Sequence, residues 1–596
     1  MPSWYLIRKS GNFTETGARH GIPAAAARLM VNRGIDTDEK IEKYLHGSLK
    51  DMHDPGLMKD MDGACRFIAA AVTEGKKIRV IGDYDIDGVT STAILVKGLR
   101  ALGADVSAAI PHRIKDGYGM NARLIEEAKR DRVEVILTCD NGISARAEAE
   151  LAAKYGISLV ITDHHEVPYE ETPSGRRYLL PGALYIVDPK QEDCTYPFKD
   201  ICGGMIAFKF ISYLYDNALA GNRFANVYEN SQFREELMQL AALATVGDIM
   251  PLIDENRIIL KEALKCMQST PAPGLNELID VNGIDRADLN AFQLGFVIGP
   301  CINAAGRLDS ADKALLLFLE ENKDEAMRKA GELKEYNVSR KTMTEAAVNA
   351  ALDIAENEGY DKDRVLVIFI PDCHESVAGI VAGRLRERFS KPVFVLTRAE
   401  SGLKGSGRSI PAYNMYAEMT KISEIFTKYG GHEQAAGFSI EEKDLDTMRR
   451  RLNENCTLTE EDLKGKLMID MELPLSYADE RLLDALKLME PFGGGNDRPV
   501  FARRGLELRG IRIMGAKKNC AKLKVSDNGT EHEIMLFKGL DLFNELMEKK
   551  YGVDVLTDLD SGKIFRPGLV FNAAYTAAYN VFRGEKKIQL TVEDFF

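Results

Sequence analysis

Four short apolar runs in the first third of the chain each close on polar residues. Ile78 to Ile81 leads through Gly82 into Asp83, Asp85 and Asp87, three acids at alternate positions ahead of Gly88. Val135 to Cys139 leads into Asp140-Asn141-Gly142, Leu159 to Thr162 into Asp163-His164-His165, and Leu184 to Val187 into Asp188-Pro189. Near-continuous apolar runs of this length predict strands buried on both faces. Helical patterns lie between them over 89–99, 121–129 and 145–155, and an amphipathic helix over 60–74 precedes the first. Such alternation predicts a parallel sheet covered on both sides, and ligands of these sheets bind at the carboxyl ends of the strands. The acids and histidines that close the runs fall at those ends.

The pattern changes along the rest of the chain. Residues 1–55 read as a helical lead-in, with helices over 23–33 and from Thr37, ahead of a catalytic domain over 56–314. Residues 315–357 are charged and helical, which predicts a long connecting helix. A strand over 364–370, a helix opened by His374 and a strand over 392–396 predict a second α/β domain over 358–456. From 457 to 596, alternating segments over 506–514, 522–525, 533–537 and 587–592 predict a small OB-type β-barrel, with Lys517, Lys518, Lys522 and Lys524 placed to follow a single strand of nucleic acid by charge.

Length and composition sharpen this picture. A chain of 596 residues exceeds what one core serves, and 45% hydrophobic with 28% charged residues is ordinary for a globular protein. No long apolar run reads as a membrane helix and no secretory pattern opens the chain, so a cytoplasmic protein with no membrane association is expected. Nine cysteines without a CxxC pair fit reduced core thiols better than a disulfide framework or zinc site. A net charge of -13 argues against indiscriminate coating of nucleic acid but leaves room for a local basic groove.

The acids carry the chemistry. Carboxylates packed as closely as Asp83, Asp85 and Asp87 repel one another unless a divalent cation compensates them; the alternative is a solvated Asx turn capping the helix that contains Thr90 and Ser91. Asp248, inside the apolar stretch 241–252, also needs a partner, and a metal is the economical one. Asp85, Asp87, Asp140, His164 and Asp248 form a ligand set of oxygens with some imidazole, which suits Mn2+ or Mg2+ and suffices for two ions sharing a carboxylate, an arrangement used in phosphoester hydrolysis. Two glycine-rich segments read as turns. Lys404-Gly405-Ser406-Gly407-Arg408-Ser409 offers cations, hydroxyls and backbone N–H groups to a phosphate, and Gly430-Gly431-His432 allows close backbone approach.

The DYDIDG, CDNG, DHH and ATVGDIMPL segments match, in order, four motifs of the DHH phosphoesterase superfamily, which the chain resembles. His112-Arg113, Asp116-Gly117-Tyr118-Gly119, the Gly299 to Leu308 segment, PFGGGN at 491–496 and the segment from Asn580 to Gly584 are similar to its single-stranded-DNA exonucleases, over nearly the whole chain. That resemblance implies a metal-dependent 5′-to-3′ exonuclease of DNA repair and recombination that releases mononucleotides. It implies catalytic roles for Asp83, Asp85, Asp87, Asp140, His164, His165 and Asp248, with Asp83 ranked below the metal ligands. Phosphate contacts are implied for Arg113, Asn303, Arg307, His374, Ser406, Arg408 and His432. Cys301 stands where these exonucleases often carry Arg, which leaves more to Arg307. Implied partners are single-stranded DNA, a helicase and a single-strand-binding protein, with the chain a monomer. The rival expectations are a DHH phosphodiesterase acting on short oligonucleotides, cyclic dinucleotides or pyrophosphate, and a non-catalytic DNA-binding relative.

Overall fold

The computed structural model describes residues 2–173, 175–218, 231–270, 272–515, 518–555, 568–582 and 585–596. They form two compact units. Residues 48–458 with 493–495 make one, and 1–47, 459–492 and 496–596 make the other.

The first unit opens on a five-stranded parallel sheet in the order Val106–Ala109, Ile78–Ile81, Val135–Cys139, Ser158–Thr162, Tyr185–Val187. Val80, Leu137 and Val160 enter one apolar core while Ile81, Ile136 and Ile161 enter another on the opposite face, so both sides are covered as the unbroken apolar runs require. The chain leaves Ile78–Ile81 toward one neighbour, Val106–Ala109, and returns to the other, Val135–Cys139. The strand order therefore reverses between Ile78–Ile81 and Val135–Cys139, where α/β sheets open a crevice for ligands. Asp83 to Asp87 and Asp140 follow these two strands.

The connecting helix is Lys323–Asn357, preceded by a separate short helix, Asp312–Phe318, that overlaps the start of the span 315–357 read as one. Beyond it lies a mixed five-stranded sheet in the order Phe426–Gly431, Ala435–Ile440, Leu403–Arg408, Val393–Arg398, Leu366–Phe369. Here the sequence reading needs correcting: Lys404 to Arg408 is a central strand and not a turn, and Gly430-Gly431 ends another strand. The glycines serve packing. A Cβ on Gly405 would lie 2.1 Å from the Phe438 ring, and one on Gly407 would lie 2.3 Å from Met415 Sδ.

The second unit is a closed barrel. Strands run in the order Met471–Glu472, Phe501–Met514, Cys520–Asp527, Thr530–Leu536, Glu585–Phe595, Val570–Phe582, and the last pairs back to Phe501–Met514. Within 1–55, read as a helical lead-in, residues 2–47 carry a strand, Ser3–Leu6, paired to Lys466–Ile469, and helices whose Ala26, Leu29, Met30, Ile41 and Leu45 share the core of Phe501, Leu523 and Phe571. Lys522 and Lys524, read as exposed phosphate contacts, are each paired with a glutamate, Glu533 at 3.0 Å and Glu531 at 2.8 Å. Lys517 and Arg583-Gly584 lie outside the described residues. No described helix is long and apolar enough to cross a membrane.

Candidate active site

The loop after Ile78–Ile81 turns directly into the helix Ile86–Ala101, which begins three residues before the sequence pattern indicates. Asp85 is its N-cap, accepting hydrogen bonds from the N–H groups of Asp87 (3.0 Å) and Gly88 (3.1 Å). Capping and clustering thus coexist, since one carboxylate oxygen serves the helix and the other is left for a ligand. Gly88 is required because a Cβ there would lie 2.4 Å from the Asp83 carbonyl oxygen. Asn303 Oδ1 accepts from the Ile86 N–H at 2.9 Å, so its role as a phosphate contact gives way, for that oxygen, to steadying the start of this helix.

Asp87 is buried and held by two backbone donors, Gly203 N–H and Gly204 N–H, each at 2.7 Å. These are the first residues of the helix Gly203–Tyr213, and both must be glycine: Cβ atoms there would meet Asp140 Cβ at 2.7 Å and Ala244 Cβ at 2.4 Å. The sequence reading missed this pair, although adjacent glycines opening an apolar helix were the available signal. It also left Tyr118 without a role; its hydroxyl donates to the Asp140 carbonyl oxygen at 2.5 Å and lies 3.1 Å from His165 Nδ1.

Asp140 and Ile249 both sit at left-handed φ, 59° and 57°. Asp tolerates that region, but a β-branched residue there is strained by about 1–2 kcal/mol. Asp248 caps the C-terminus of the helix Ser231–Gly247, and the Ile249 and Met250 N–H groups return to the Val246 and Thr245 carbonyls as in a Schellman turn. The carboxylate is about a third exposed, so the wholly apolar setting read from its neighbours does not hold.

The structure brings the predicted ligands together. His164 Nε2 lies 3.1 Å from Asp140 Oδ1, 3.5 Å from Asp87 Oδ2 and 3.7 Å from Asp248 Oδ2. Ligand atoms of Asp87, His164 and Asp248, of Asp140, His164 and His165, and of Asp83, Asp85 and Asp140 each fall within 4.8 Å of one another. Burial and the neighbouring acids push Asp87 up to about 6 and Asp83 and Asp248 up to about 8, and raise Asp140 well above the carboxylate range. Burial and His165 push His164 down to about 3, leaving a neutral imidazole. Burial lowers His165 too, but the Asp163 carboxylate, 2.7 Å from Nδ1, outweighs it together with the other acids nearby and raises the ring to about 9. Four acids that cannot all ionise, grouped around a neutral imidazole, are the donor set of an oxygen-preferring divalent ion, so the residues fit Mn2+ or Mg2+.

Beside this centre lies a cavity of ≈ 240 Å³ walled by Tyr84, Arg113, Arg307, Ser406 and Arg408 among others. Arg113 stacks on the Tyr84 ring with its guanidinium carbon 4.3 Å from the centroid, and its Nη1 is buried with no hydrogen-bond partner. Arg307 donates to the Ser376 carbonyl at 2.6 Å, and Arg408 to Ser406 Oγ and the Gly407 carbonyl. Among the described residues none of the three meets a carboxylate within ion-pair distance, whereas Lys404 on the same wall is paired with Glu375 at 2.7 Å. Burial, with Arg113, Arg340 and Arg408 close by, lowers Arg307 to about 9. Gly379 makes room, since a Cβ there would stand 2.9 Å from both Arg408 Nη2 and Ser406 Oγ. His374 and His432 are not on this wall: the His374 ring is engaged with Ser376 as a helix cap, and His432 lies exposed in the hairpin after Gly431. Cys301 is buried against Asn337 and likewise off the wall.

Family models match the DHH family N-terminal domain over 77–245, the DHHA1 domain over 362–457 and the RecJ OB domain over 469–594. Fold and site together define a hydrolase of the DHH superfamily. The single-stranded-DNA-specific exonuclease RecJ of Bacillus subtilis (strain 168) is 34% identical over 578 residues, 96% of this chain and 68% of that protein. The protein of the same name from Salmonella typhimurium is 31% identical over 96% of each chain. The crystal structure of Thermus thermophilus RecJ in complex with Mn2+ matches 100% of this chain and 79% of its own, with TM-score 0.79 and 27% identity; its complex with Mg2+ matches 99% and 78%, with 0.74 and 25%. The chain belongs to the RecJ family.

Proposed function

We propose that this protein is a divalent-metal-dependent exonuclease that degrades single-stranded DNA from its 5′ end to mononucleotides, in DNA repair and recombination. The observation that carries the reading is the meeting, at Tyr84, of a buried acidic centre with an open cavity of part-buried arginines that lack carboxylate partners among the described residues. Such a cavity demands an anion, and a terminal phosphate with two negative charges satisfies it better than an internal phosphodiester. An end held there leaves the next phosphodiester to the acidic centre.

Asp85, Asp87, Asp140, His164 and Asp248 would hold the metal, with Asp83 and His165 completing the surround. When bound, such ions lower the pKa of water and neutralise charge on the leaving oxygen. The chain's own residues do the positioning. Asp163 fixes the His165 ring through Nδ1, Gly203 and Gly204 orient Asp87, and Arg113, Ser406 and Arg408 are proposed to hold the terminal phosphate. The barrel is proposed to grip the strand further along, through exposed cations and rings such as Lys586, whose Nζ stands 3.5 Å from the centroid of the Tyr579 ring. A helicase and a single-strand-binding protein are the proposed partners, supplying and presenting the single strand to a monomer in the cytoplasm.

The test uses four substrates in Mn2+: linear 5′-phosphorylated single-stranded DNA, the same strand circularised, a cyclic dinucleotide and pyrophosphate. Mononucleotides should appear from the linear strand alone. Equal cutting of the circle would refute end recognition, and faster turnover of either small substrate would refute the substrate class.

A further inference from the structure

The chain passes from the barrel unit into the catalytic unit and back through three glycines. Gly493–Gly495 pack within the catalytic unit, while Phe492 and Asn496 belong to the barrel unit. Asn496 is fully buried, donates to the Met489 and Pro491 carbonyls at 3.0 and 2.8 Å, and accepts from the Tyr44 hydroxyl at 2.7 Å.

The tract lies against the chain that leaves Asp248. The Leu252 N–H donates to the Gly494 carbonyl at 2.6 Å. A Cβ on Gly493 would lie 2.6 Å from Leu252 Cδ1, and one on Gly495, whose φ is +71°, would lie 2.9 Å from Pro251 Cβ. Gly494 itself approaches the Ile249 carbonyl, with a built Cβ at 3.5 Å. Residues 249–252 are thus covered by backbone at close quarters, which any side chain on Gly493 or Gly495 would prevent. The covered turn is the one held in an unfavourable conformation. Ile249 occupies the left-handed position at which helices normally place glycine, directly after Asp248, and nothing in its own exposed side chain, 80% accessible, retains it there. Such a conformation persists when its surroundings over-determine it.

We infer that Gly493–Gly495 is a positioning segment for Asp248: by clamping residues 250–252 it holds the strained turn at Ile249 and so keeps the Asp248 carboxylate beside Asp87 and His164. This rests on the reading of Asp248 as a metal ligand.

The experiment measures Mn2+ binding to the full chain by calorimetry, with circular dichroism as a check on folding. Gly495→Ala should weaken Mn2+ about tenfold, the size expected for loss of a group that orients a ligand. Gly359→Ala supplies the control: it introduces a Cβ at a similar φ of +70° where no atom lies within 4 Å, and Mn2+ affinity should stay at the wild-type value. Ile249→Gly relieves the turn, so in that background Gly495→Ala should cost less than about threefold, a non-additivity that general destabilisation does not produce. Should Gly495→Ala fail to fold, Gly493→Ala, which presses on the flexible end of Leu252, replaces it throughout. Wild-type affinity in the folded glycine variant, or strict additivity with Ile249→Gly, overturns the clamp. Asp248→Ala separates the two ideas: if it too binds Mn2+ normally the ligand reading fails, and if it alone loses affinity the clamp fails.

Discussion

The acidic centre and the arginine cavity meet at one tyrosine and present the same physical problem with opposite sign. In the first, Asp83, Asp87, Asp140 and Asp248 are crowded until burial and mutual repulsion push their carboxyls up. In the second, Arg113, Arg307 and Arg408 are gathered until burial and mutual repulsion pull Arg307 and Arg408 down. Neither arrangement is what folding alone would select, because separating the like charges or crossing them into ion pairs would be more stable. The two regions are kept apart as reservoirs of uncompensated charge, one calling for cations and the other for an anion. A metal-loaded phosphate chain supplies both.

The largest effects should come from the acidic side. Asp140→Ala and Asp248→Ala each remove a proposed ligand, and hydrolysis should fall by roughly 10³-fold, since the lost charge stabilisation is several kcal/mol. Binding of single-stranded DNA in EDTA should stay near the wild-type value. On the cationic side, Arg408→Ala should slow cutting of 5′-phosphorylated strands by roughly 10–100-fold, from about 1.5–3 kcal/mol for a charge-assisted hydrogen bond. Strands with a 5′-hydroxyl should lose less; equal losses would break the proposed division of labour.

Stability sharpens the comparison. A carboxyl whose pKa is raised by folding binds more protons in the folded state, so its ionisation destabilises the fold as pH climbs above the unfolded value near 4. The metal-free protein should therefore lose stability on going from about pH 4 through the raised values, about 6 for Asp87 and about 8 for Asp83 and Asp248. Asp140→Asn should flatten that loss and, in EDTA at pH 8, raise Tm, by an amount corresponding to about 1–2 kcal/mol. With Mn2+ present the order should reverse, because metal binding favours the wild-type fold. The smallest effect is expected in the barrel. Lys586→Ala should weaken binding to long strands about twofold and reduce the log-log salt slope by about 0.7, read by fluorescence anisotropy.

What the sequence disclosed follows the same division. Most of the site was legible because its residues directly follow apolar strands, so Asp85, Asp140 and His164 could be placed at strand ends from the runs before them, while Asp248 ends a helix and was legible only as a lone acid in an apolar stretch. The cavity was only half legible. Arg113 and Arg408 were identified, but Gly379, which makes room for Arg408, lies in a helix whose pattern gives no hint of what crosses it. The strand Leu403–Arg408 was misread for a related reason: glycine punctuates turns when it is locally required, and here Gly405 and Gly407 are required by Phe438 and Met415, far along the chain. A parallel sheet covered on both faces could be argued from the alternation of apolar runs and helical patterns alone. Contacts between distant segments could not, and the shared core of residues 1–47 with the barrel is the plainest case.

That shared core sets a schedule for synthesis. The helices bearing Ala26, Leu29, Met30, Ile41 and Leu45 are synthesised before the strands that cover them, which begin only after residue 458. At about 5–20 residues per second the intervening stretch takes roughly 20–80 s to emerge. For that interval their apolar face waits uncovered, a window for chaperones to hold it and for proteases to cut it.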